Sequence, residues 1–140
     1  MKGLRIGLWV VQVLLALAFL GAGFMKVAQP YDQIAANMAW AKDFSPAAVM
    51  LIGVVELLAA IGLILPSLTR ILPVLTPVAA VGLVLTMIGA TIAHARLGEP
   101  VVVTIVLGLL SAFVAWGRFA RAPIAPRSAR SAAPTASPAA

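Results

Sequence analysis

Five ionisable side chains stand out because each falls within or beside a long apolar run: Lys26, Glu56, His94, Arg96 and Glu99. Glu56 is the sharpest case, the single ionisable group among the nineteen residues between Pro46 and Pro66. As a helix rising about 1.5 Å per residue, that run covers roughly 28 Å, close to the hydrocarbon thickness of a bilayer. A charge near the midplane costs about 2.5 to 3.5 kcal/mol on insertion scales, so Glu56 is expected to be protonated, paired or turned to a wet cavity. Ile52, Gly53, Ala59, Ala60 and Leu63 lie about one turn either side, and the small ones admit a second helix backbone. Glu56 should therefore face protein rather than lipid. A role towards a ligand, a proton or an ion is the preferred reading, with a buried structural pair as the alternative.

The other four groups are expected at one end of the same bundle. Lys26 has two readings: its ammonium turns inward towards Glu56, or it snorkels outward to lipid phosphates, which is the simpler of the two. His94 with Arg96 and Glu99 reads most simply as a helix-end cluster, and otherwise as a proton relay. No metal site is expected, because one histidine and two well-separated glutamates give no ligand spacing. The complete absence of cysteine excludes disulfides, dithiol redox chemistry and thiolate clusters, and a single histidine excludes haem held by two histidines of one chain. No catalytic residue is assigned, and whether the chain is itself an enzyme is left open.

The elements that must position these groups are four apolar segments. Of the 140 residues 63% are apolar and 10% charged, a composition ordinary for a membrane protein and foreign to a soluble domain. Lys2 and Arg5 precede the first run, Ile6 to Met25, which is too long for the apolar core of a signal peptide and is read as an uncleaved helix. Along it Gln12, Ala16, Phe19, Gly23 and Lys26 recur at four, three, four and three residues, one stripe that should face inward. Residues 27 to 45 form an interfacial segment with a short helix from Pro30, read as an anchor with Tyr31 and Trp40 at headgroup level or, less simply, as a lid. Ser45 and Pro46 are the N-cap and first residue of the second helix.

The third segment runs from about Leu72 to Ala93. Its regular helix starts as late as Thr76, with Thr76 as N-cap before Pro77, or is kinked there. Gly82, Thr86, Gly89, Ala90 and Ala93 are expected to form a close-packing face. A short link through Gly98 leads to the fourth segment, opened by Pro100 and ending at Trp116 to Arg118. The fold expected is an all-α, up-down-up-down bundle of four transmembrane helices over residues 1–118, followed by a disordered cytoplasmic tail over 119–140, rich in Ala, Pro, Ser and Arg. Ten Lys and Arg against four acids do not point to nucleic acid here, since seven cations fall on the side of both termini and three on the other. That asymmetry predicts cytoplasmic termini.

Gly23 with Lys26, Pro46, the run Ile52-Gly53-Val54-Val55-Glu56-Leu57-Leu58, Gly62 to Pro66, Thr76-Pro77, Ala79 to Leu83, and Ala90 before His94 and Glu99 resemble the DoxX-like family of small four-helix membrane proteins, over about residues 5 to 118. The resemblance implies a compact bundle in a bacterial inner membrane. Some relatives are similar to the small subunit of a quinone-reducing thiosulfate oxidoreductase, and others are associated with membrane redox or assembly complexes. Relatives that work through cysteines offer no guide to a chain that has none. The leading expectation is a membrane subunit of an oxidoreductase-type complex, embedded in the lipid bilayer, that binds a quinone or another lipid-soluble ligand around Glu56, with Lys26, His94, Arg96 and Glu99 as further ligand-binding residues. No cofactor beyond that quinone is expected on this chain; electrons would come from a membrane or peripheral partner. The alternative is a structural or assembly factor that binds a partner membrane protein. Third comes a small proton-coupled transporter, which would need further copies of the chain, since four helices are few for alternating access.

Overall fold

The computed structural model of the chain describes residues 1–130 and is helical throughout, with no strand among them. Four helices are long and apolar enough to cross a membrane: α1 (Lys2–Ala28), α3 (Pro46–Thr69), α4 (Leu75–Arg96) and α5 (Val102–Trp116), the last continuing to Arg121. Between α1 and α3 lie α2 (Tyr31–Asn37) and a 3-10 turn (Ala39–Asp43). This is an integral membrane protein built as a four-helix bundle.

The contacts between helices fix their directions. Gln12 meets Leu63 while Gly23 meets Gly53, so α1 and α3 run antiparallel. Ser67 bonds Thr76 at the α3–α4 end and Thr91 bonds Thr104 at the α4–α5 end, which makes each of these pairs antiparallel as well. Leu8 near the start of α1 lies against Gly117 at the end of α5, closing the up-down-up-down circuit. Leu15, Phe19, Leu63, Leu83 and Val114 fill the shared core. Leu14, Leu17, Leu58, Ile88 and Leu109 are exposed on the outside, as expected where hydrocarbon replaces water.

The inward stripe of α1 is as expected: Gln12, Phe19, Gly23 and Lys26 are all buried, together with Leu8 and Leu15. Ser45 caps α3 by accepting from the Ala48 N–H at 3.1 Å, with Pro46 following as the first residue. Three helix boundaries differ from the sequence expectation. α3 does not stop at Pro66 but continues to Thr69, where Arg70 (φ 60°) terminates it in the left-handed region. Thr76 is not a cap: α4 starts at Leu75, and Thr76, fully buried, turns into the bundle to accept a hydrogen bond from Ser67 at 2.8 Å. α5 runs on through a π-helical turn, Gly117–Arg121, so Phe119 to Arg121 belong to that turn.

A fourth difference concerns α4. Gly82 and Gly89 do not form a packing face within the chain, since a Cβ added at either would meet nothing within 4 Å. The residues of α4 buried in the bundle are Thr76, Pro77, Ala80, Leu83 and Met87, while Thr86, Gly89, Ala90 and Ala93 line a cavity. Of the expected tail, residues 131–140 lie outside the described residues. Before them Arg127 donates its backbone N–H to the Arg70 carbonyl at 2.9 Å, and Arg70 Nε donates to the Ala125 carbonyl at 3.0 Å.

Candidate functional site

The core of the site is an ion pair inside the bundle: Lys26 Nζ lies 2.7 Å from Glu56 Oε2, with side-chain exposures of 7% and 5%. Of the two readings of Lys26, the inward one holds. Two features of the backbone bring the groups together. First, side chains on a helix tilt towards its N-terminus. In antiparallel α1 and α3 this sends Lys26 back into the bundle and Glu56 forward to meet it. Second, the helices cross at Gly23 and Gly53, each three residues before its charged partner. A Cβ on Gly53 would stand 2.7 Å from Lys26 Cβ and 2.9 Å from the Gly23 carbonyl oxygen, so the bare glycine is what leaves room for the lysine stem. Lys26 Nζ also lies 3.4 Å from the Ala22 carbonyl and 5.8 Å from the centre of the Trp40 ring, a cation–π approach.

A second pair forms where α4 ends. His94 Nδ1 lies 2.6 Å from Glu99 Oε2, both side chains being about 70% buried at 26% and 32% exposure. Gly98 sets it up. With φ at +68° it closes a Schellman motif, in which the Glu99 N–H reaches the His94 carbonyl at 2.9 Å and the Gly98 N–H the Ala95 carbonyl at 3.1 Å. The reversal folds residue 99 back over residue 94. With Glu99 ionised, Nδ1–H is the donor, which leaves Nε2 as the ring atom able to accept or pass on a proton. Arg96 does not join the group: it is exposed, and its side chain makes no ion pair or hydrogen bond among the described residues.

Both pairs border one cavity of about 630 Å³ between the α1/α3 and α4/α5 pairs. Phe19, Ile52, Leu85, Met87 and Leu107 supply apolar wall; Lys26, Glu56, His94, Glu99 and Thr104 supply polar groups. Asn37, Met38, Trp40 and Phe44 reach the cavity from the segment between α1 and α3. That segment is held by a small core of its own, Ile34, Ala41 and Val49. Tyr31 Oη fastens it further, 3.0 Å from the Ala41 carbonyl and 2.9 Å from that of Phe44. A largely apolar chamber with a few convergent polar groups is the usual form of a small-molecule site. Among the described residues no three of His, Cys, Asp or Glu come together as metal ligands.

Sequence reasoning missed a second buried polar cluster nearer the termini. Gln12, fully buried, donates from Nε2 to the Leu63 carbonyl at 2.6 Å and accepts from Arg118 Nε at 2.6 Å. Arg118 is 4% exposed and lies over the Trp9 ring, 5.3 Å from its centre. An arginine at a helix end reads as an interfacial anchor, and the only signal against this was Gln12, the lone polar residue in the run it interrupts.

Fold and site together define a small integral membrane bundle with a largely apolar cavity bordered by two acid-base pairs. A family model for the DoxX-like family matches residues 10–117, and the chain belongs to that family. No curated protein and no solved structure matches it.

Proposed function

We propose that this chain is a membrane subunit of an oxidoreductase-type complex that binds a quinone, or a lipid-soluble carbonyl compound like it, in the cavity between the helix pairs. The observation that carries the reading is one apolar chamber bordered by both the Lys26–Glu56 and the His94–Glu99 pairs. Quinone reduction takes two electrons and two protons. The ammonium of Lys26 can hydrogen-bond a ring oxygen and lower the cost of charge building on it, the imidazolium form of His94 can deliver one proton from Nε2, and the second proton is drawn from solvent after His94 is reprotonated there. Glu56 and Glu99 hold these two groups in place, and the Trp40 face offers a surface for a flat ring. Electrons would enter from a partner protein. The reading has the chain in a bacterial inner membrane with both termini cytoplasmic and the cavity in the outer half.

The test is titration of the purified protein in lipid nanodiscs with decylubiquinone, read by quenching of tryptophan fluorescence, with Trp40→Phe to identify the reporter. Glu56→Gln should weaken binding by about tenfold or more, the scale of one charge-assisted hydrogen bond. Unchanged affinity would remove the quinone reading. A scaffold for a partner membrane protein is favoured by one observation, the open space over Gly82. In that case a bulky Gly82→Leu would abolish partner co-purification and leave quinone binding intact.

A further inference from the structure

The end of the bundle that carries both termini is charged quite differently from the end that carries the cavity. All four acids of the chain, Asp32, Asp43, Glu56 and Glu99, belong to the other half, so the cations here meet no carboxylate among the described residues. Three of them share one open groove of about 1600 Å³ between the α3–α4 turn and residues 118–128: Arg70, Arg118 and Arg127. Arg118 is buried in its wall. Its Nε donates to Gln12, its Nη1 lies 3.3 Å from the Ala122 carbonyl, and its Nη2 has no acceptor among the described residues. The hydrogen bonds that join Arg70 to Ala125 and Arg127 hold residues 122–128 along the turn, which keeps two further guanidinium groups on the same groove.

The rim of the groove is apolar. Ile71, Leu72, Val74 and Phe119 are all more than half exposed, at the level where α3 and α5 leave the membrane-spanning register. Cations backed by hydrocarbon at a helix end complement a phosphate with acyl tails, whereas an acidic peptide would not use the apolar rim. We propose that this groove binds an anionic phospholipid, its phosphodiester held by Arg70 and Arg127 with Arg118 behind them, its acyl chains lying along Ile71, Leu72 and Phe119. The site is separate from the cavity and does not depend on what the cavity holds.

The experiment is native mass spectrometry of the full chain released from mixed vesicles of phosphatidylglycerol and phosphatidylcholine. The protein should retain phosphatidylglycerol in preference by about tenfold, and Arg70→Gln/Arg127→Gln should bring the two lipids to parity. Arg127 is exposed and Arg70 half-buried, and neither is enclosed in the bundle as Arg118 is, so the double variant avoids the packing defect that a change at Arg118 would cause; an unaltered melting temperature checks this. Lys42→Gln, at the other end, should leave the preference intact. Equal retention of the two lipids by the native chain would overturn the proposal, as would a preference that survives the double variant. Added inorganic phosphate at millimolar concentration should leave the retained lipid in place; displacement would mean that the groove reads free phosphate rather than lipid.

Discussion

At the scale of the residue, the decisive pair is Lys26 and Glu56. Removing one partner of a buried ion pair leaves the other charge uncompensated, at a cost of about 3 to 5 kcal/mol, whereas replacing both by apolar groups is often near neutral. Glu56→Leu alone should thus lower the melting temperature sharply, and Lys26→Met/Glu56→Leu should recover most of the loss. Quinone affinity separates structure from function: the double variant, though stable, should bind no decylubiquinone. Recovery of both stability and binding would make the pair a structural contact only. The acid was legible in the sequence because nothing apolar explains a carboxylate mid-helix. Its partner was not, because a lysine at a helix end has stem enough to turn either way and only the crossing register decides. Arg118 was hidden by the same ambiguity and the same outward default.

At the scale of the element, two glycines set the geometry, and they act differently. Gly53 is a close approach, where the added methyl of Gly53→Ala would collide with the Gly23 backbone as well as with the Lys26 stem. Forcing the helices apart should cost about 1 to 3 kcal/mol in thermal stability and reduce quinone affinity. Gly82→Ala is the matched control: with open space over the Cβ, the substitution should be neutral or stabilising by up to about 1 kcal/mol through helix propensity. Gly98 is instead a matter of backbone sign. Gly98→Val places a branched residue at φ +68°, which disfavours the Schellman reversal by about 1 to 2 kcal/mol and should part His94 from Glu99. Because the chain has one histidine, the nitrogen-15 resonance of its Nδ1 reports that parting directly. An imidazole spectrum unchanged in Gly98→Val would show that the pair does not depend on the turn. The helix count and the capped start of α3 were legible from apolar run length and Ser45-Pro46. The end of α3 was not: a proline near a helix end removes only one hydrogen bond, that to the Gly62 carbonyl, which the remaining turn to Thr69 outweighs.

At the scale of the molecule, the bundle holds two polar layers separated by an apolar core. One holds the two acid-base pairs, and the other is cationic without carboxylates among the described residues. The seven-to-three distribution of positive residues that predicts cytoplasmic termini coincides with this division, so charge topology and site placement are one hypothesis. A chain without cysteine allows a clean test. Ala36 in α2 and Ala129 near the other end are both exposed, so Ala36→Cys and Ala129→Cys each give a single thiol on an otherwise unreactive protein. A membrane-impermeant maleimide applied from the periplasmic side should label Ala36→Cys in intact membranes and reach Ala129→Cys only after permeabilisation. The reverse pattern would turn the cationic groove outward. It would also open the cavity beside Trp40 to cytoplasmic rather than periplasmic protons, and so exchange the side from which a bound quinone is protonated.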